Sequence, residues 1–257
     1  MIQEYSVAVV TGASIGIGRA VAKKLAKEKV RLILVARREE NLLALAEELQ
    51  DLTACHLVNC DLRDHKKVAQ HFNGLPDAFS AVDILINSAG LALGMEPAQR
   101  ASWEDWRGMI DVNCTALAHL THLLLPGMVA RNRGHVVNIG SIAGTYPYTG
   151  GNVYGATKAF VKQFSLNLKA DLLGTAVRVT NVEPGLVGGT EFSLVRFKGD
   201  EGKAANVYEG VDPLIPESVA DAVLWAVSRP PNVNINRIEL MPVCQAANRV
   251  TVERKSP

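Results

Sequence analysis

Short apolar runs rich in Val, Ile and Leu recur along the chain, and segments of helical period separate them. Runs at Val7 to Val10, Arg31 to Ala36, His56 to Asn59, Asp83 to Asn87, His135 to Ile139, Arg178 to Glu183 and Arg237 to Met241 predict strands. Most are nearly continuous in apolar character rather than alternating, as expected of strands covered on both faces of a parallel sheet. Between Arg19 and Glu28, Val21, Ala22 and Leu25 share one helical face while Lys23, Lys24 and Lys27 point away. Phe160, Phe164 and Leu168 recur every fourth residue and predict a helix over Gly155 to Leu173, stopped by Gly174. The alternation implies βαβ units, hence an α/β doubly wound sheet of seven parallel strands with helices on both faces.

No Pro-, Gly- or Ser-rich linker and no internal repeat interrupts this pattern, so residues 1–257 are expected to form a single domain. One stretch departs from it. Leu186 to Pro213 carries five glycines and mixed charge after a predicted strand, and a loop of that length inside a domain is expected to act as a lid, residues 186–213.

Composition narrows the function classes. Lys plus Arg total 27 against 26 for Asp plus Glu, which leaves no excess positive field for a nucleic-acid clamp or a membrane-surface protein. Hydrophobic residues make up 48% of the chain, enough for a sizeable core. Cys55, Cys60, Cys114 and Cys244 show no paired or metal-ligand spacing and are expected to be reduced, buried thiols. Met1 to Val10 lacks a basic region and a cleavage site, and Thr115 to Ala130 is interrupted by His119, His122 and Pro126, so neither a secretory signal nor a membrane span is expected. A cytoplasmic, reducing location fits. His119 and His122 lie three apart on a helix with no further ligand suggested, and no metal is expected.

Directly after the first strand comes Thr11-Gly12-Ala13-Ser14-Ile15-Gly16-Ile17-Gly18, followed by an amphipathic helix. Gly12 suits a tight turn, Gly16 a close backbone approach and Gly18 close helix packing, while the helix N–H groups of this segment point at an anion. Gly12, Ser14, Ile15, Gly16, Ile17 and Gly18 are therefore the expected cradle of a dinucleotide. Where NAD-binding proteins carry a carboxylate for the ribose hydroxyls, the second strand ends Val35-Ala36-Arg37-Arg38. A guanidinium can bind a 2′-phosphate bidentately, so Arg37 and Arg38 favour NADP(H). Glu39 and Glu40 suit the start of the next helix, where negative charge complements the dipole.

Tyr154 and Lys158 stand one helical turn apart on one face. A free phenol titrates near pH ~10, and a neighbouring ammonium lowers that value. Ser141 follows the fifth strand, and Asn87-Ser88-Ala89-Gly90 ends the fourth, both at the C-terminal edge of the sheet where ligands bind. With Asn113 in the helical segment after Trp103, these residues resemble the short-chain dehydrogenase/reductase family, in the order of its catalytic tetrad and with its Gly-x-x-x-Gly-x-Gly spacing. The resemblance runs from Val7 to about Pro242 and implies a Rossmann-like fold.

The resemblance implies that Tyr154 is the general acid or base, that Lys158 tunes it and binds the nicotinamide ribose, that Ser141 polarises the substrate carbonyl, and that Asn113 holds a relay water. It also places Asp61 and Leu62 near adenine, Asn87, Ala89 and Gly90 on the cofactor, and Pro184, Gly185, Val187 and Thr190 at the nicotinamide turn. Two departures stand out. Ser88 replaces the second Asn usual before Ala-Gly, and Thr190 comes one residue later than usual. Gly90 to Pro97, Gly150 to Tyr154 and Glu183 to Asp200 resemble bacterial NADP-dependent 3-hydroxy acid dehydrogenases, which implies a small 3-hydroxy acid and its 3-oxo acid or semialdehyde, such as malonic semialdehyde, as substrates. Sulfoacetaldehyde reductases are similar, and a non-catalytic NADP(H)-sensing protein would use the same fold. A small anion needs a cation that closes over it, and Arg196 and Lys198 on the lid are the candidates beside Ser141 and Tyr154. The family likeness also implies a homotetramer.

Overall fold

The computed structural model describes residues 6–247; Met1 to Tyr5, within the N-terminal segment read above, and residues 248–257 lie outside it. Seven parallel strands form one sheet in the order β3-β2-β1-β4-β5-β6-β7: β1 (Val7–Thr11), β2 (Arg31–Ala36), β3 (Cys55–Asn59), β4 (Ile84–Asn87), β5 (Gly134–Ile139), β6 (Val177–Pro184) and β7 (Arg237–Leu240). All seven expected runs are strands, with ends moved by a residue or so. Asp83 is left just outside β4, where its buried carboxylate takes the Ser6 backbone N–H and the Arg133 guanidinium.

Alternate residues of each strand face opposite layers. On one side Ala8, Val10, Leu32, Leu34, Ile84 and Ile86 pack under α1 (Gly16–Lys27), α2 (Glu39–Leu49) and, further along the chain, the Pro216–Val227 helix. On the other, Val7, Val9, Ile33, Val35, Leu85 and Val136 pack under α3 (His65–Asn73), the short α4 (Asp77–Ser80), and the later helices through Leu120, Met128 and Leu168. Burial on both faces is why the strands read as apolar runs.

The helices of the second half are α5 (Trp103–Ile110), α6 (Leu117–Ala130), α7 (Asn152–Asp171), α8 (Phe192–Arg196), α9 (Glu201–Asn206) and α10 (Pro216–Val227). A π-helical segment, Asp111–Ala116, joins α5 to α6. The combined run Trp103–Ala130 is long and apolar enough to cross a membrane by length and composition, yet α6 carries on through Pro126 and lays Leu117, Leu120, Thr121 and Met128 into the fold. Trp103 is exposed.

Residues 186–213 are not the plain loop expected: α8 and α9 lie within them. Their base is pinned by a bridge between Val187 and Leu214, with the Gly188 N–H on the Leu214 carbonyl at 2.8 Å and the Leu214 N–H on the Leu186 carbonyl at 2.9 Å. A third, small apolar cluster around Ala92, Met109 and Tyr154, joined by Leu93, Trp106, Tyr148 and Phe192, brings the start of α8 and the 91–93 stretch together around Tyr154.

Candidate active site

The strand order reverses at β1, between β2 and β4, and there a cavity of about 900 Å³ opens beyond the C-terminal strand ends. Its floor is the glycine turn. Gly12 and Gly16 have φ of +66° and +53°, and a Cβ on Gly18 would lie 2.4 Å from the Gly12 carbonyl oxygen. Only glycine fits these positions. Thr11, which the motif reading passed over, fixes the turn: its hydroxyl donates to the Ile86 carbonyl and accepts the N–H groups of Ser88 and Ala89 at 3.0 and 2.9 Å. This draws the end of β4 against Gly12, where a Cβ would lie 3.1 Å from the Ala89 backbone. Helix α1 starts at Gly16 with no side chain capping it, so the N–H groups of its first turn are available to a ligand.

Gly12, Ser14, Ile15, Gly16, Ile17, Gly18, Arg37, Arg38, Asp61, Leu62, Ala89, Gly90, Pro184, Gly185, Val187 and Thr190 all line this cavity, as do Ser141, Tyr154, Lys158 and Arg196. Asn87 does not. Its buried amide donates to Asn138 at 2.8 Å and to Thr121 at 3.1 Å, so this side chain braces β4 against β5 and α6, whatever the loss of the second Asn. Ser88 takes a place on the cavity wall instead. Asp64, not Asp61, caps α3; Arg63 grips the Asp61 carboxylate at 2.6 Å and holds it below the usual carboxylate range.

Asn113 also stands behind the wall. From the π-helical segment its amide accepts the Leu91 N–H at 2.9 Å and donates to the Leu91 carbonyl at 2.8 Å and the Thr157 hydroxyl at 3.0 Å. Both polar atoms are thereby engaged, and the amide ties the cavity wall at Gly90-Leu91 to α7. Lys158 donates to the Ile139 carbonyl at 2.8 Å, and burial pushes its ammonium down to about 8. Ser141 accepts the Ala143 N–H at 3.1 Å and is hydrogen-bonded to the Tyr154 phenol.

Tyr154 lies in the first turn of α7 with its ring 5.9 Å from the Lys158 Nζ. The expected lowering by Lys158 is absent: burial, with Tyr148 nearby, pushes the phenol up to about 12, and the Ser141 hydrogen bond and the Arg196 charge act against the rise. The group therefore carries its proton at neutral pH. Arg196 reaches in from α8, with its guanidinium 5.3 Å from the Tyr154 ring centre, 5.4 Å from Tyr148 and 5.7 Å from Phe192. It donates to the Tyr148 hydroxyl, and its Nε is buried with no partner among the described residues. Lys198, by contrast, is not at the cavity. It is exposed at a φ of +54°, paired with Asp105 at 2.8 Å, and ties the end of α8 to α5.

Further lining residues carried no motif. Tyr208 bonds the Val187 carbonyl at 3.1 Å and Ser193 at 2.8 Å, joining the turn after β6 to α8. Gln245 accepts the Leu186 N–H at 2.8 Å. Tyr148 shares an interval of thirteen residues with Ser141 and Tyr154, and that enclosure was its only sequence signal. Of the cysteines, all four are free but only Cys60 is buried; Cys55 and Cys114 are half-buried and Cys244 is exposed.

A family model described as short chain dehydrogenase matches residues 6–199. The chain is 52% identical over 249 residues to an NADP-dependent 3-hydroxy acid dehydrogenase of Escherichia coli O6:H1, covering 97% of this chain and 100% of that one. To serine 3-dehydrogenase of Rhizobium radiobacter it is 46% identical over 248 residues, 96% and 98% of the two chains. Among solved structures, the closed form of a serine dehydrogenase complexed with NADP+ is similar at a TM-score of 0.93 and 51% identity, covering 97% and 100% of the chains. The serine dehydrogenase from Escherichia coli aligns at 0.81 with 47% identity over 93% and 99%.

Proposed function

The chain belongs to the short-chain dehydrogenase family, and on that premise we propose that it is an NADP(H)-dependent oxidoreductase that interconverts a small 3-hydroxy acid and its 3-oxo acid or semialdehyde. The cofactor reading is supported by the turn at Gly12 to Gly18, where a Cβ has no room, and by a β2 end that offers arginines in place of a carboxylate. The printed activities of relatives that align over nearly the whole chain agree. Gly12 to Gly18 would hold the pyrophosphate, Arg37 at the end of β2 the 2′-phosphate, Asp61 and Leu62 the adenine, Lys158 the nicotinamide ribose, and Pro184 to Thr190 the nicotinamide. When bound, that group supplies or accepts the hydride.

The chain's own part is proton transfer and orientation. Ser141, held by the Ala143 N–H and hydrogen-bonded to the Tyr154 phenol, turns its O–H to the substrate oxygen when that oxygen enters beside the phenol. The Tyr154 phenol, protonated at neutral pH, gives its proton to that oxygen in reduction and must regain it from the alcohol in oxidation. Lys158, fixed by the Ile139 carbonyl, keeps a cation at the foot of α7. Asn113 holds the wall and the helix together.

The observation that carries the substrate class is Arg196. A guanidinium with an unpartnered buried Nε lies over the Tyr154 ring, in position to take a carboxylate whose carbonyl or alcohol carbon is beside the phenol. The test follows NADPH absorbance with malonic semialdehyde, sulfoacetaldehyde, serine plus NADP+ and a neutral aldehyde. Arg196→Gln should raise KM for the acids by roughly 10- to 100-fold, the value of a charge-assisted hydrogen bond, and spare the neutral aldehyde. Equal losses on both would remove the contact. Exposed Trp103 and Ile110 on α5 and Phe160, Leu166 and Leu173 on and just after α7 support the homotetramer, which light scattering would detect. The unpaired thiols suit a cytoplasmic setting.

A further inference from the structure

Strand β2 delivers two adjacent arginines to the cavity rim, and the fold treats them differently. Arg37 is exposed and makes no ion pair among the described residues. Arg38 is gripped by Glu191 in a two-pronged pair, Nη1 to Oε1 and Nη2 to Oε2, each at 3.0 Å. Glu191 stands at the start of α8, the lid helix that carries Phe192 and Arg196. Its neighbour Thr190 lies over the glycine turn, with its methyl carbon 3.2 Å from where a Gly16 Cβ would be. The far end of the lid is fastened separately, by Lys198 on Asp105 at 2.8 Å and by the Gly94 N–H on the Arg196 carbonyl at 2.9 Å.

We propose that Glu191 withdraws Arg38 from phosphate recognition and makes it a latch: Arg37 alone bears the 2′-phosphate, while Arg38 is a positioning residue that holds α8 down at the cofactor end. The inference rests on the NADP(H) reading above. A guanidinium whose fork is filled by a carboxylate has its charge neutralised and its best donor edge taken, so it offers a phosphate little. Glu191 also brings a negative charge to the rim where the phosphate would sit. Removing that carboxylate therefore has opposite consequences at the two ends of the cavity. Arg38 is freed for the phosphate, and α8 loses its hold.

The experiment compares the wild type with Glu191→Gln, Arg38→Met, the double variant and Arg37→Ala. Two quantities are measured: the Kd of NADP+ and of NAD+ by fluorescence titration, and hydrogen exchange across residues 190–206 in cofactor-free protein. Glu191→Gln should bind NADP+ roughly three- to tenfold more tightly with NAD+ unchanged, the gain expected of a released Arg–phosphate contact. Exchange should quicken about two- to fivefold in Glu191→Gln and equally in Arg38→Met, as a half-exposed ion pair warrants, and no further in the double variant. Arg38→Met should leave the NADP+ Kd within about twofold, whereas Arg37→Ala weakens NADP+ at least tenfold relative to NAD+. The proposal is overturned if Arg38→Met weakens NADP+ as Arg37→Ala does, or if exchange in the lid ignores Glu191→Gln. A wild type that binds NADP+ no more tightly than NAD+, with that ratio unmoved in Arg37→Ala, would instead defeat the cofactor reading. The exchange data, taken without cofactor, still decide the latch.

Discussion

Replacing Lys158 with Met should make the cofactor-free protein less dependent on pH, and the size of the effect follows from the burial of one ammonium. Lys158 lies at 7% exposure with Nζ on the Ile139 carbonyl, and burial pushes it from 10.5 down to about 8. A lysine whose folded value lies below its unfolded one opposes folding wherever the folded group is charged. The full penalty applies below pH ~8 and is relieved as pH rises toward the unfolded value, because there the unfolded chain binds the extra proton. With about 1.4 kcal/mol per decade, the penalty is roughly 3 kcal/mol at pH 7 and roughly 1.5 kcal/mol at pH 9.5. Met removes that penalty and also leaves the Ile139 carbonyl without its donor, a loss of about 1–3 kcal/mol that does not depend on pH. The two variants should therefore be of similar stability at pH 7, while the wild type gains about 2 kcal/mol on Lys158→Met between pH 7 and 9.5, some 4–8 °C in Tm for a chain of this size. Tyr154, pushed up to about 12, is neutral throughout that window, and other groups common to both proteins cancel in the difference. Thermal melts of both proteins at the two pH values measure it. A constant gap between them would mean that Lys158 is not held in a desolvated site, and the account of its lowered value would be wrong.

Other substitutions test the remaining parts of the site. Tyr154→Phe should bind cofactor with unchanged Kd and lose nearly all turnover; retained turnover refutes its place in proton transfer. Asn113→Ala strands the Leu91 N–H and carbonyl and removes one bond to the Thr157 hydroxyl, which keeps its own to the Tyr154 carbonyl, and should cost about 2–4 kcal/mol in urea unfolding as well as activity. Gly18→Ala drives a Cβ to 2.4 Å from the Gly12 carbonyl, so it should weaken cofactor binding more than tenfold and lower the melting temperature, read by titration and calorimetry. An alanine tolerated there with normal affinity would show that the turn can open.

The division between what the sequence made legible and what it did not follows the reach of each interaction. The strands were legible because burial on both faces leaves an apolar run, and the glycine turn because φ values of +66° and +53° demand a particular residue at Gly12 and Gly16. Helix α1 was expected to start at Arg19 and starts at Gly16, since the phosphate turn and not an apolar stripe sets its first residue. The lid resisted reading because its helices are five and six residues long, too short to carry a period, and are held by partners far away in sequence. Glu191 and Arg38 are 153 positions apart, and Arg196 and Tyr148 are 48 apart. Charge alone put Lys198 beside Arg196 in the cavity; Asp105 and a left-handed backbone turn it outward. Asn87 had the right edge of the sheet but the wrong direction, its amide engaged by Asn138 and Thr121. The glycine turn thus rests on local geometry that a single sequence displays, whereas the placement of Arg196 rests on long-range pairs. On the reading proposed above, substrate range should accordingly respond to changes at Arg196, while the turn at Gly12 to Gly18 stays as it is, because a Cβ there closes on the cavity floor.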